Sequence, residues 1–174
     1  MGRKIMTDSE LYNICHERFE YKNGELFWRY KVAQCVEVGG LAGYFHKGSG
    51  YMHVAIYRKC YKVHRIIYLM HHGYLPELLD HIDQNRSNNV ISNLRPATSA
   101  QNAVNSKVKC TNTTSFPGVI WNKKNKNWRA RVGFEGKRID VGSFSDKNEA
   151  FLAYQTKHIE LFGEFSPYFN KKEN

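Results

Sequence analysis

Apolar and polar positions follow two different periods along this chain, and the switches between them mark out its elements. Over Val63–His72, Ile66, Ile67, Leu69 and Met70 recur at helical spacing, which predicts a helix ending beside Gly73. An earlier helix is predicted from Thr7, where Thr7 and Glu10 make a capping box and Leu11, Ile14 and Phe19 follow. Asn23-Gly24 then turns into a strand over Glu25–Tyr30, and Gly48-Ser49-Gly50 opens another over Tyr51–Tyr57, with Arg58-Lys59 turning back to Cys60–Lys62. Leu78, Leu79 and Ile82 predict a short strand, 84–89 a polar turn, and 90–94 an antiparallel extended segment closed by Pro96. Thr98 with Gln101 forms a second capping box, so a helix is expected from Thr98.

The C-terminal third alternates apolar and polar residues over 117–122, 127–134 and 137–144, with Asn125 and Glu135-Gly136 at the turns, and predicts a three-stranded antiparallel sheet. Asp146 and Glu149 then cap a helix that sets Ala150, Ala153, Tyr154, Ile159 and Phe162 against one sheet face and stops at Gly163. The class is α+β. Ser106–Ser115 is polar and nearly free of apolar anchors, a linker between a first domain over 1–105 and a second over 116–174.

Charge sharpens this picture. The 174 residues carry a net +10 with histidine neutral, which suits a polyanionic partner and equally a basic protein without one. Cys15, Cys35, Cys60 and Cys110 lie scattered with no C-x-x-C, so reduced thiols in a cytoplasmic compartment are expected. No signal peptide is read at Met1–Ile5 and no run is long enough to span a bilayer, so a soluble protein is expected. The glycines at 39, 40, 43, 48 and 50 lack the lysine and helix that a phosphate loop needs.

The candidate chemistry lies in 79–102, where Asp80-His81, Asn93 and Asn102 form the pattern D-H-x11-N-x8-N. Adjacent strand residues point to opposite faces, so a carboxylate can hold a cation while the imidazole meets a water. Carboxylate and carboxamide oxygens are hard donors suited to Mg2+ or Mn2+, and a site with one carboxylate leaves positions for water and phosphate oxygens. A histidine with a reference pKa of about 6.5 is largely neutral at cellular pH and able to accept a proton. A backbone carbonyl on its other ring nitrogen is expected to fix the tautomer. Against this stands the plainer reading that Asn-rich turns are usually just turns, and Asn85, Arg86, Ser87, Asn88 and Asn89 are assigned that role. Asp83 reads as structural rather than as a spare ligand.

The run D-H-I-D-x-N-x-x-N-N-x-x-x-N-L-R-x-x-T-x-x-x-N resembles the HNH, or beta-beta-alpha-metal, nuclease motif, in the variant of phage and intron-encoded homing endonucleases whose last histidine is asparagine. The resemblance reaches back to Val63–Ile67. It implies His81 as general base, Asp80 and Asn102 as ligands of one Mg2+ or Mn2+ ion, and Asn93 as the catalytic residue bracing loop and base. It also implies that His64 and Arg65 lie near the site, with Arg65 touching a phosphate or simply packing.

Over Phe116–Phe165, the G-V, W-x-A, V-G-x-F and E-A-x-x-A-Y signatures resemble the Apetala/ethylene-response-factor DNA-binding domain, which implies that the sheet enters the major groove. Ile120 stands where plant members carry arginine, so their base preference does not transfer. Strand alternation puts Arg129, Arg131 and Arg138 on a bare sheet face as donors to guanine edges or phosphates. Lys123, Lys124, Lys126 and Lys137, with Lys107 and Lys109 of the linker, read as phosphate neutralisers. Trp128 reads as core, and Trp121 more as core than as contact.

Together these readings point to a metal-dependent, site-specific endonuclease of homing type acting on double-stranded DNA, a monomer with dimerisation open. The rivals are a transcription regulator whose first module is inert, and a restriction or nonspecific phage nuclease.

Overall fold

The computed structural model describes residues 6–106 and 115–169, so the expectations for Lys107, Lys109, Cys110 and most of the linker fall outside the described residues. The chain divides into two compact units, with the boundary between Ser99 and Ala100.

The first unit opens with helix α1 (Asp8–Arg18), whose Thr7 and Glu10 make the reciprocal capping box. The helix stops one residue short of the expected Phe19, which turns extended and begins strand β1 (Phe19–Lys22); this pairs with β2 (Glu25–Trp28) around Asn23-Gly24. Phe19 is fully buried, so strand geometry seats it in the core.

A second sheet runs β3 (Tyr44–His46), β4 (Tyr51–Ile56) and β5 (Lys59–Lys62), all antiparallel. Tyr44, His46, Tyr51, His53 and Lys62 share one face by register, and Val54 and Ile56 are buried on the other. Helix α2 (Val63–His72) follows β5 directly and ends on Gly73 at φ 76°, the left-handed conformation glycine adopts without penalty. It buries Val63, Ile66, Ile67, Leu69 and Met70 in one core with Leu11, Cys15, Phe19, Leu26, Val54 and Ile56. That burial raises the Cys15 thiol to about 12 and leaves it inert. Among the described residues, Cys15, Cys35 and Cys60 are free thiols.

Strand β6 (Leu78–His81) pairs antiparallel with β7 (Leu94–Ala97), placing Leu79 and Leu94 on the same core. The return strand begins later than expected. A short 3-10 turn occupies Ile91–Asn93, and Pro96 sits inside β7 opposite Leu79 instead of ending it. Because β6 and β7 form a two-stranded ribbon, Pro96 lies on an edge strand, where its missing N–H is tolerated. Helix α3 (Ser99–Asn105) follows, with Thr98 just before it.

The second unit holds β8 (Val119–Asn122), β9 (Asn127–Phe134) and β10 (Lys137–Phe144), in the spatial order β10-β9-β8, all antiparallel. Helix α4 (Lys147–Phe162) is capped by Asp146, whose carboxylate accepts from the amides of Asn148 and Glu149. Val119, Ala130 and Val132 of the sheet and Ala150 and Tyr154 of α4 form its core. Gly118, at φ +69°, admits no side chain, because a Cβ there would collide with the Tyr154 ring and the Arg131 carbonyl.

Candidate active site

The site is built on the β6–β7 ribbon and the loop between its strands. Asp80 and His81 are each about 5% exposed at the end of β6. Asp80 stands opposite Arg95, whose Nε and Nη2 donate to Asp80 Oδ2 at 3.1 and 2.9 Å. A guanidinium fork on a buried carboxylate fixes its orientation.

His81 Nε2 lies 3.1 Å from Asn89 Oδ1, and a carboxamide oxygen can only accept, so the ring carries its proton on Nε2 and its basic lone pair on Nδ1. The partner on this ring nitrogen is a side-chain oxygen. Asn89 is 3% exposed, so it is no mere turn residue. Burial pushes the His81 imidazole below its ordinary value, and Arg86 adds to this; the Asn89 hydrogen bond and the Asp83 and Asp80 charges only partly offset it. The group is held neutral, as a proton acceptor must be.

The 82–93 loop is closed by Asn93. Its Oδ1 accepts from the Asp83 amide at 3.0 Å, and its Nδ2 donates to Asp83 Oδ1 and to the Asn88 carbonyl at 2.9 and 2.8 Å. The Ile82 amide donates to the Asn93 carbonyl at 2.9 Å. Asp83 also accepts from the Asn85 amide and Asn88 Nδ2. Burial alone would raise the Asp83 carboxyl, but the Asn88, Asn85 and Asn93 hydrogen bonds and His81 outweigh it and hold it low. The loop leans on the first ribbon: the Ile91 amide donates to Tyr21 Oη, and a Cβ on Gly24 would sit 2.8 Å from the Val90 nitrogen.

Around His81 lies a cluster of rings. His64 from the first turn of α2 meets it edge-on with centroids 4.9 Å apart, and Tyr51 lies 5.0 Å from His64 and 6.0 Å from His81. His64 is 4% exposed, and burial with the neighbouring His81, Lys62 and Arg65 lowers it to about 3. Arg65 donates to the Glu77 and Pro76 carbonyls at 3.2 and 2.9 Å, so its guanidinium holds the segment leading into β6.

Asn102 occupies the first turn of α3 and is exposed, on the far side of the boundary between the units. Among the described residues, no group of three or more histidine, cysteine, aspartate or glutamate side chains gathers as a metal cage. Carboxylate and carboxamide oxygens are by their chemistry hard donors, suited to a divalent cation that keeps most of its ligands as water and phosphate oxygen, as Mg2+ does.

In the second unit Arg129 and Arg131 sit half-buried on the sheet face away from the core, and Arg138 is exposed. Arg131 stands opposite Asp140, and Arg129 donates to the Asp140 carboxylate, which holds that carboxyl below its usual range. Lys123, Lys124, Lys126 and Lys137 are exposed. Trp121 is more open than expected, 43% exposed with its ring 5.0 Å from Trp128, because it lies on the edge strand β8.

Comparison with known proteins identifies the family of the chain. A model of the HNH endonuclease family matches residues 61–104, a span holding His64, Asp80, His81, Asn93 and Asn102. Protein 3.8 of Escherichia phage T7 is 32% identical over 115 residues, covering 63% of this chain and 94% of the relative. The chain belongs to the HNH endonuclease family. It is a metal-dependent nuclease, and its substrate is DNA. The uncharacterized HNH endonuclease L560 of Acanthamoeba polyphaga mimivirus is 34% identical over 108 residues, covering 60% of this chain, which spans about half of that relative (55%). No solved structure matches. Among the described residues of this nuclease, no helix is long and apolar enough to cross a membrane.

Proposed function

We propose that this nuclease is a site-specific endonuclease of homing type that hydrolyses double-stranded DNA with one Mg2+ or Mn2+ ion, His81 being the general base. The observation that carries the reading is the buried His81–Asn89 pair, which keeps the imidazole neutral with its lone pair on Nδ1, next to the fixed carboxylate of Asp80.

Asp80 would hold the cation, which when bound would supply positive charge to offset that of the phosphorane and of the departing 3'-oxygen. His81 takes a proton from water at Nδ1, and the resulting hydroxide attacks phosphorus in line with the leaving oxygen. The products carry 5'-phosphate and 3'-hydroxyl ends. Asn93 keeps the catalytic loop shut by holding Asp83 and Asn88, and Arg95 fixes the Asp80 carboxylate in its buried place.

The second unit is the reading module, of Apetala/ethylene-response-factor type. Its arginine-bearing face supports this: Arg129, Arg131 and Arg138 share the side of the sheet that the core leaves bare, and Asp140 holds the Arg129 fork in place. Exposed Lys123, Lys124 and Lys137 add affinity without sequence choice.

Supercoiled plasmid incubated with the protein and Mg2+ should be nicked or linearised, and sequenced ends should fall at a recurring site. His81→Ala should abolish cutting while duplex binding persists. A His81→Ala protein that still cuts assigns the base elsewhere, and ends scattered at random remove the site-specific reading.

A further inference from the structure

One group of cations beside the site has no role in the chemistry so far. Lys62 Nζ lies 4.3 Å and Arg86 Cζ 5.1 Å from the centroid of the same Tyr51 ring, the ring that adjoins His64 and His81. Among the described residues neither cation has a carboxylate partner; Arg86 donates to the Ser49 carbonyl at 3.2 Å. Burial and the nearby Arg65 and Arg86 lower the Lys62 ammonium, the response of a cation packed against like charge.

Two further features of the same spot stand without a partner among the described residues. Lys62 is the N-cap of α2, makes no side-chain cap, and the first turn of that helix has no acidic residue, so the positive end of the helix dipole meets only cations. In that turn His64 Nδ1 is buried without a hydrogen-bond partner on a residue 4% exposed, a cost a folded protein seldom carries without a ligand to meet it.

We propose that Lys62 and Arg86, laid on Tyr51 at the start of α2, form a two-cation clamp for a backbone phosphate of the strand that enters the His81 site. The inference rests on the nuclease reading and adds a binding site beside the base. Tyr51 serves as a platform that holds both cations by cation–π contact while leaving their N–H groups for phosphate oxygens. The clamp fixes where the strand crosses the site and carries no sequence information.

The test measures binding of a fluorescent duplex of arbitrary sequence across a salt series in a His81→Ala background, so cleavage is not needed. Each cation on a phosphate contributes about 0.9 to the slope of log K against log salt. Lys62→Ala with Arg86→Ala should therefore flatten the slope by about 1.8. Lys62→Arg with Arg86→Lys should restore it, and Lys59→Ala, on the opposite face of β5, should leave it unchanged. Should the double alanine variant fail to fold, Lys62→Gln with Arg86→Gln reads the same charges with the side-chain stems kept. An unchanged slope, or an equal loss from Lys59→Ala, overturns the clamp. Failure of the wild-type protein to cut plasmid would instead overturn the nuclease reading and leave the binding result standing.

Discussion

Asp80 and Arg95 make a buried pair whose two members need each other more than the fold needs the pair. Removing one partner leaves the other charge desolvated, a loss of about 3–5 kcal/mol. Arg95→Met should lower the unfolding free energy of the first unit by that amount in urea titrations, and a loss below about 1 kcal/mol would mean that Asp80 is stabilised by other means. The same reasoning sets the variant that tests the proposed metal role of Asp80: Asp80→Asn keeps the shape and a hydrogen bond to Arg95, whereas Asp80→Ala confounds chemistry with folding. Asn89 is the residue whose role sequence reasoning missed. It stands in a run of asparagines that fits a turn, and only burial and the 3.1 Å contact to His81 set it apart from exposed Asn85. A spacing of eight residues from the imidazole was the available signal, but it acquires meaning only when the intervening loop is known to fold back. Asn89→Ala should lower single-turnover cleavage about 10- to 100-fold with duplex affinity unchanged, the effect of releasing a hydrogen bond that fixes a reactive group. Rates within twofold of wild type would show that the His81 tautomer is set by something else.

Elements with one strong period were legible, and those decided by tertiary packing were not. Helix α2 runs over the expected residues because its apolar stripe and its terminal Gly73 agree. Strand β1 was hidden because Phe19 fits a helical stripe equally well, and the core takes it as a strand residue. Strand β3 is three exposed residues whose pairing with β4 alone defines it. In β10 the register shifts between Asp140 and Gly142, so simple alternation carried across Val141 does not hold along the whole strand. Helix α4 carries a titratable group that no functional reading invoked. His158 packs against Tyr154, Phe162 and Tyr168, with Nδ1 2.9 Å from Ser166 Oγ and no acidic group among these partners. Burial lowers it from 6.5 to about 4. With a depressed folded value, the unfolded chain takes up the proton first, so stability is full above pH 6.5 and is lost as pH falls towards 4. The melting temperature of the second unit should fall across that window, above the range where most carboxylates titrate, and His158→Phe should flatten the profile. A wild-type melt independent of pH between 6.5 and 4 would contradict the burial of a neutral ring.

At the scale of the whole molecule, a chain of net charge +10 meets a polyanion with two kinds of cation. In the first unit Lys62 and Arg86 rest on Tyr51 beside His81, and in the second Arg129, Arg131 and Arg138 lie on a sheet whose other face is core. If the units divide labour as proposed, affinity and chemistry should separate under mutation. Arg129, Arg131 and Arg138 replaced together by alanine should raise the dissociation constant for a cognate duplex by more than tenfold, since each good base contact is worth about 1–3 kcal/mol. The single-turnover rate at saturating protein should stay within about twofold, because the bound complex still presents the same base and carboxylate. His81→Ala should do the reverse, and the combined variant should show both losses, additive in free energy, as for residues that share no partner. A fall in the saturated rate of the triple variant would mean that the sheet positions the scissile strand as well as reading it. The two arms would then be coupled through the DNA, and the deficit of the combined variant would depart from the sum.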